Sequence, residues 1–241
     1  MGNKGGTRHL KKLASSKKVK MERKDSVWTV KSRAGPHKLL DSVPLLIVVR
    51  DYLALGKNAK EAKRIIKTKE IMIDRRAVTD EKFPVGFMDI VETPKTGDIY
   101  RAVYDEKGRI ALSRLKKKVD FKLVRIAKKT DIGRDKTQVT MHDGRNITVK
   151  KTDYKIGDTL KIKIPEQSIE EHFPLAENST GYITGGKHAG ETGKITKIES
   201  GTIARDAMVF FKKGDQEFST KKDYVFVIGK EKPAIEFGEE V

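Results

Sequence analysis

The chain has 241 residues, of which 37% are apolar and 36% charged, and its mean hydropathy is -0.57. This lean apolar content suits several small modules better than one large enzyme domain. The 52 Lys and Arg residues outnumber the 34 Asp and Glu residues, which gives a net charge of +18 and a pI near 9.8. Such an excess of positive charge indicates a polyanionic partner.

The sequence favours nucleic acid over a membrane as that partner. It has no apolar run of about 18 residues or more, no signal-peptide core at its start, and no wide apolar face among its first basic residues. Cysteine is absent, which excludes disulfides, a cysteine zinc site and a thiol nucleophile. Nothing argues for secretion, so we expect a cytosolic protein.

Residues 1–38 form a basic arm with twelve Lys and Arg residues and only two acids, Glu22 and Asp25. Its apolar residues are too few for a core, so we expect the free arm to be disordered and to become ordered against phosphates. A solvated charge run is the alternative. The rings of His9, Trp28 and His37 favour contact with unpaired bases or with a neighbouring surface, which a solvating tail does not need.

The next segment predicts two helices. Asp41-Ser42 is a typical N-cap pair with Pro44 in the first turn, and an apolar stripe of helical spacing runs from there to Gly56. Asn58-Ala-Lys-Glu61 predicts a capping box that begins the second helix. That helix places Ala59, Ala62, Ile65 and Ile66 on one face and Lys60, Lys63, Arg64 and Lys67 on the other.

A short strand at residues 71–74 then leads into a basic turn at Arg75-Arg76, and residues 83–90 close the unit. Solvation alone would explain the basic helix face. The two arginines beside it favour phosphate contact.

From residue 97 onward, alternating apolar residues predict short antiparallel strands. Strands at 99–104 and 109–113 flank a hairpin turn at 105–108, and strands at 139–141 and 147–149 flank Asp143-Gly144. Another strand carries Leu160, Ile162 and Ile164. We expect a β-rich central domain, a small barrel in form, without a site of its own.

Strands at 181–184, 194–199, 207–211 and 224–228 predict an SH3-like barrel with a glycine-rich loop after the first of them. Glycine at positions 185, 186, 190 and 193 permits positive φ and close backbone approach to a partner. A sharp turn alone would also require these glycines, and the two interpretations remain open.

No motif predicts catalysis. A P-loop needs a glycine five residues before its Gly-Lys and a hydroxyl residue after it, but around Gly193-Lys194 these positions hold His188 and Ile195. The five histidines do not pair at metal-ligand spacing, so we expect no metal and no cofactor. Asp74, Asp80 and Asp89 would suit acid–base chemistry only if the fold buried them together, and we expect surface or capping carboxylates.

Residues 43–92 resemble the S-four RNA-binding module through Leu53-Ala-Leu-Gly56, Lys60-Glu-Ala-Lys-Arg64 and Ile71-Met-Ile-Asp74. Many members of that family have glycine where this chain has Arg75. Residues 185–199 are similar to a KOW element, a turn-and-strand motif of ribosomal proteins and transcription elongation factors.

The whole chain resembles the S-four-e family of small-subunit ribosomal proteins, in its compact archaeal form. The matching segments are Arg8-His-Leu-Lys-Lys-Leu-Ala14, Gly35-Pro-His-Lys38, Phe83-Pro-Val-Gly-Phe-Met-Asp89, Tyr104-Asp-Glu-Lys-Gly-Arg109, Tyr182-Ile-Thr-Gly-Gly186 and Val225-Phe-Val-Ile-Gly-Lys230. The resemblance implies an α+β multidomain chain: a basic N-terminal arm (1–42), an α/β S-four module (43–92), a β-rich central domain (93–172), a KOW-containing SH3-like β-barrel (173–230) and a C-terminal tail (231–241).

The implied function is a structural one, in which the chain binds small-subunit rRNA beside neighbouring ribosomal proteins in the cytoplasm, without a membrane or small-molecule substrate. Lys and Arg would neutralise phosphates while rigid modules hold RNA helices in place. The expected RNA contacts are Lys4, Arg8, His9, Lys11, Lys12, Lys17, Lys18, Lys20, Trp28, His37 and Lys38 in the arm, Lys57, Lys60, Lys63, Arg64, Lys67, Arg75 and Arg76 in the S-four module, and Lys187 and His188 in the glycine loop.

Two other functions share some of these features. An RNA-modifying enzyme would attach a catalytic domain to an S-four module, but the residues after 92 show only small β units without a catalytic or methyl-donor motif. A transcription elongation factor or RNA chaperone is suggested by the KOW element alone, and it would not stay with ribosomal subunits at high salt.

Overall fold

The computed structural model describes residues 7–116, 119–133, 136–150, 153–202, 205–214, 216–230 and 232–235. Within them the chain is mostly β-strand with few helices, as three five-stranded antiparallel sheets and two strand pairs.

The arm packs against the rest of the chain, contrary to the expectation that its apolar residues form no core. Strands β1 (Leu10–Lys11) and β2 (Trp28–Thr29) pair, and a 3-10 turn (Lys12–Ala14) follows β1. Val19 is buried, and the adjacent Lys18 carbonyl accepts from the Ile110 N–H at 2.7 Å. Three apolar residues of the arm, Val19, Met21 and Val30, join a core that later segments supply.

The first predicted helix begins later and ends earlier than expected. After a 3-10 turn (Leu39–Asp41), Ser42 lies in strand β3 (Ser42–Pro44), which pairs with β6 (Pro84–Gly86), so the Asp41-Ser42 cap was wrong. Helix α1 (Leu45–Ile47) starts after Pro44 and continues as a π-helical turn (Val48–Tyr52). Ala54, with φ of 49°, ends it before Gly56.

The second helix, α2 (Ala59–Lys67), forms as its capping signal predicts. The Asn58 Oδ1 atom accepts from the backbone N–H groups of Lys60 and Glu61, both at 3.0 Å. The Glu61 carboxylate accepts in return from the Lys57 N–H at 2.8 Å. These bonds satisfy amide groups that a helix start leaves free.

The first large sheet joins elements that the sequence places in two domains. Its order is β5 (Arg76–Ala77), β4 (Met72–Ile73), β7 (Ile90–Thr93), β8 (Asp98–Tyr104) and β9 (Ile110–Leu115). The β8–β9 hairpin is the predicted one, with Gly108 at φ 69° in its turn. Because β8 pairs with β7, the expected boundary at residues 92/93 divides a continuous sheet.

The second sheet has its own core. Its order is β12 (Asn146–Lys150), β11 (Lys136–Met141), β10 (Phe121–Asp131), β13 (Thr159–Lys163) and β14 (Ile169–Phe173). The predicted hairpin at Asp143-Gly144 joins β11 to β12. Among the described residues β12 and β14 are free edges, so hydrogen bonds do not close this sheet into the expected small barrel.

The third sheet has the order β18 (Gln216–Lys221), β17 (Met208–Lys213), β16 (Thr192–Glu199), β15 (Thr180–Ile183) and β19 (Val225–Gly229), with a 3-10 turn (Lys222–Tyr224) before β19. The sequence predicted four of these strands and missed β18. Two contacts fasten this sheet to the others: the Tyr182 hydroxyl donates to the Tyr104 carbonyl at 2.7 Å, and Arg125 Nη1 donates to the Asp223 carbonyl at 2.6 Å.

Candidate nucleic-acid interface

The β1–β2 pair of the arm presents an aromatic ring among cations. Trp28 is 57% exposed, its ring centroid lies 5.7 Å from that of His9, and the Lys11 ammonium lies 5.9 Å from it. Arg8 is also exposed. An exposed indole with adjacent cations is able to stack on an unpaired base while the cations contact its phosphates.

Two residues expected at this surface are buried instead. The Lys12 side chain forms an ion pair with Asp25, one of the two acids of the arm. The His37 Nε2 atom lies 2.9 Å from the Asp89 carboxylate, and its ring occupies the space that a Cβ at residue 86 would fill. Both therefore hold the arm together or fasten it to the body. Lys4 lies outside the described residues.

The other arm cations differ in what they contact. Lys17, Lys20 and Lys38 are exposed. Lys18 is half-buried, 2.6 Å from the Asp41 carboxylate and 4.9 Å from the centroid of the Tyr104 ring. Burial lowers the pKa of Lys18, but Asp41 and Tyr104 outweigh it and the net shift is upward. Lys18 is thus a charged internal contact as well as a surface cation.

Helix α2 and its neighbouring segments present a row of exposed cations. The exposed members that form no salt bridge among the described residues are Lys57, Lys60, Arg64, Lys67 and, on β5, Arg76. Lys63 lies 2.8 Å from Glu81. Arg75 contacts Glu92 at 3.7 Å and also pairs with Asp120. We call the five unpaired cations the α2 surface.

The glycine loop contacts its own chain closely. A Cβ on Gly190, which has φ of 83°, would lie 2.9 Å from the Asp105 carbonyl, so the close approach is to the β8–β9 turn. The His188 ring stacks on Phe218, with centroids 4.5 Å apart, and its Nδ1 atom is 3.3 Å from Glu191. Lys187 is exposed. Of the two predicted contacts, only Lys187 extends freely into solvent.

A buried ion network lies where sequence reasoning expected surface carboxylates. Asp74 and Asp89 are buried together, and Lys122, only 1% exposed, lies 2.9 Å from Asp74, 2.5 Å from Asp89 and 3.2 Å from Asp143. Arg145 also pairs with Asp74 and contacts Asp143 at 3.0 Å. The third acid, Asp80, is half-buried and lies 3.2 Å from Arg33.

This network keeps the Asp89 carboxylate ionised. Burial alone would raise the pKa of Asp89, but the charges of Lys122 and His37 outweigh it and the pKa lies below its usual range. Burial likewise lowers the pKa of Lys122, yet the three aspartates raise it above its usual value. A carboxylate with so low a pKa is a structural ion-pair partner, and Asp89 is not suited to be a general acid or base near neutral pH. The separation of these residues along the chain hid the network from sequence reasoning.

Over the ranges that the structure describes, no group of three or more His, Asp or Glu residues is arranged to hold a metal ion. Within the same ranges no helix is sufficiently long and apolar to cross a membrane.

Comparison with known proteins gives concordant matches. The model of ribosomal family S4e matches residues 96–169, and the RS4NT domain model matches residues 4–40. The small ribosomal subunit protein eS4 of Methanocaldococcus jannaschii is 44% identical over 98% of this chain and 99% of its own. That of Methanothermobacter thermautotrophicus is 44% identical over 95% of both chains.

Among solved structures, the crystal structure of the 30S ribosomal protein S4e from Thermoplasma acidophilum is similar, with a TM-score of 0.70 and 36% identity. The similarity covers 79% of this chain and 96% of that one. Because sequence identity to archaeal eS4 proteins extends over nearly the whole chain, the chain belongs to the ribosomal S4e family.

Proposed function

We propose that this chain is a structural constituent of the small ribosomal subunit that binds rRNA and scaffolds its folding for translation. The observation that carries the proposal is the identity to eS4 proteins along 98% of the chain. A net charge of +18 supports it, because a folded RNA supplies the compensating negative charge. In this role the chain is not an enzyme, and it acts in the ribosome, in the cytoplasm.

The proposed modules follow the order of the family. An S-four module begins near residue 43, and the left-handed φ of 61° at Arg75 supports it, because many members have glycine there. A KOW-containing barrel spans residues 173–230, supported by the turn with positive φ at Gly186 and Gly190 before β16. The first sheet continues past residue 93, so we place the boundary of the central domain after β9.

The α2 surface is the main proposed contact with the rRNA backbone, because its cations are exposed and form no salt bridge with any residue that the structure describes. The second proposed contact is the β1–β2 pair with its exposed Trp28, and the third is the cation Lys187. Lys63, Arg75 and Lys18 already contact acids, so we assign them a smaller share of the binding energy. The partners are small-subunit rRNA and adjacent ribosomal proteins.

Sucrose-gradient sedimentation of cell lysate tests the ribosomal assignment. The chain should co-migrate with the small subunit at near one copy each and remain there at raised salt. Recovery in the soluble fractions or with RNA polymerase would favour a factor instead, and methyltransfer or uridine isomerisation on rRNA would favour an enzyme.

A salt titration tests the α2 surface. Replacing Lys57, Lys60 and Lys67 with Gln should reduce the slope of log affinity against log salt by about 2–3, because each lost phosphate contact retains about one counterion. The matched control replaces three exposed lysines of the second sheet, Lys128, Lys136 and Lys150, and should leave the slope unchanged. A wild-type slope for the α2 variant as well would show that the RNA binds another surface.

A further inference from the structure

We propose that the cleft between the arm and the three sheets binds a single unpaired nucleotide that the rRNA extrudes from its helices. This inference rests on the proposed rRNA-binding function and assigns it a cleft whose lining includes three predicted RNA contacts, Lys18, His37 and Lys38. The cleft has a volume of about 680 Å³. Sites for small ligands have volumes of about 300–1,000 Å³, so one nucleotide fits.

The floor of the cleft is a rigid aromatic cluster. The rings of Phe87 and Phe226 meet edge to face with centroids 5.0 Å apart, and His142 packs on Phe226 at 5.6 Å. The His142 Nδ1 atom accepts from the Arg125 N–H at 3.1 Å, so Nε2 carries the proton and donates to the Phe87 carbonyl at 3.3 Å. His142 is therefore a neutral, fixed part of the floor.

Tyr224 is the proposed stacking platform at the rim. It is 39% exposed, and its ring packs on the glycine loop, where a Cβ on Gly185 would lie 3.1 Å from the Tyr224 Cδ1 atom. Its carbonyl accepts from the Thr184 N–H at 2.8 Å and from the Thr184 hydroxyl at 2.9 Å. A ring backed on one side and exposed on the other is suited to stack on an unpaired base.

Two lining cations are available for the phosphate. Arg125 donates through Nη1 to the carbonyls of Asp223 and Val225, at 2.6 and 3.1 Å, and forms no salt bridge among the described residues. Lys38 is exposed and, in the part of the chain that the structure describes, also forms no salt bridge. The third lining cation, Lys18, is paired with Asp41.

The lining also holds an acceptor for a base. Asp223 is exposed, and its carboxylate is able to accept from a base N–H group. An aromatic platform, two cations that form no salt bridge with a described residue and an acceptor within one cleft are the groups that a nucleotide requires. An apolar peptide side chain would leave the charged groups without partners.

The test measures binding of the full chain to transcribed small-subunit rRNA. Tyr224→Ala should weaken binding roughly 5- to 150-fold, the loss expected for one stacked base. Tyr224→Phe keeps the ring and should bind like the wild type. Ile156→Ala removes another exposed apolar side chain, 57% exposed, and should also bind like the wild type. Thermal unfolding of each variant confirms that it folds.

Photo-crosslinking supplies a second measurement that does not depend on affinity. A benzophenone amino acid at position 224, irradiated in purified small subunits, should crosslink to one unpaired nucleotide. Unchanged affinity of Tyr224→Ala, or a crosslink to a ribosomal protein or to paired RNA, would overturn the nucleotide site and leave the rRNA scaffold intact. Failure of the wild-type chain to bind rRNA would instead overturn the proposed function itself.

Discussion

Replacing Lys122 with Met removes the cation that three buried carboxylates share. Lys122 is only 1% exposed and lies within 3.2 Å of Asp74, Asp89 and Asp143. Breaking a buried ion pair on one side costs about 3–5 kcal/mol, because the partner is left as an uncompensated charge. For a chain of this size the loss corresponds to a melting temperature lower by about 6–20 °C.

The way in which this loss of unfolding free energy varies with pH distinguishes uncompensated charge from lost packing as its cause. In the wild type the pKa of Asp89 is depressed, so its contribution to stability is present above the unfolded value of about 3.9 and is lost as the pH falls below it. In Lys122→Met, His37 still contacts Asp89, but the burial of the Asp89 carboxylate is offset less, so its pKa rises and protonation relieves part of the cost. The difference in unfolding free energy should therefore be largest at neutral pH and should shrink toward pH 4.

Urea unfolding of both proteins between pH 4 and pH 8 checks this expectation. Lys163→Met is the matched control, because Lys163 lies 3.2 Å from Glu166 in a pair whose members are both exposed. Exposed pairs contribute at most about 1 kcal/mol, so the control should unfold like the wild type. A loss in Lys122→Met that stays constant across this pH range would show that lost packing, and not uncompensated charge, is the cause.

Three further expectations follow from local contacts. Asn58→Ala should lower the unfolding free energy by about 1 kcal/mol in urea titrations, since it removes the cap of α2, whereas Asn58→Asp should not. Gly86→Ala would place a Cβ 2.3 Å from the His37 ring and should cost about 1–3 kcal/mol, while Gly133→Ala, with open space around it, should change stability by less than about 0.5 kcal/mol. Burial lowers the pKa of His142 to about 4, so wild-type stability should fall from about pH 6.5 toward pH 4, and His142→Asn should flatten that pH profile.

Elements whose determining residues lie close together in the sequence could be predicted well. The α2 cap depends on Asn58 and Glu61, three residues apart, and the hairpin turns depend on Gly108 and Gly144, so the pattern contains the necessary information. The first helix shows the limit of this reasoning. Ser42 has the character of an N-cap residue, but pairing with Gly86 draws it into a strand, a contact that no local pattern reports.

The sequence gives the number of charged residues but not their positions and partners in the fold. The sequence gives no reason to distinguish Lys12 from Lys60. Asp25 forms an ion pair with Lys12, whereas Lys60 has no acidic partner among the described residues. Lys122 is separated from Asp74 by 48 positions and from Asp89 by 33, so only the fold brings them together. The expected RNA surface therefore needed the structure to separate internal ion pairs from available cations.

The buried ion network also constrains how the chain is made. Asp74 and Asp89 are synthesised well before Lys122 and Arg145, the cations that neutralise them. At about 5–20 residues per second, the interval from Asp74 to Arg145 lasts roughly 4–14 seconds. During that time two carboxylates would be buried without their cations if the first sheet closed. We therefore expect the N-terminal half to complete its fold only after the β11–β12 hairpin, which carries Arg145, has been synthesised.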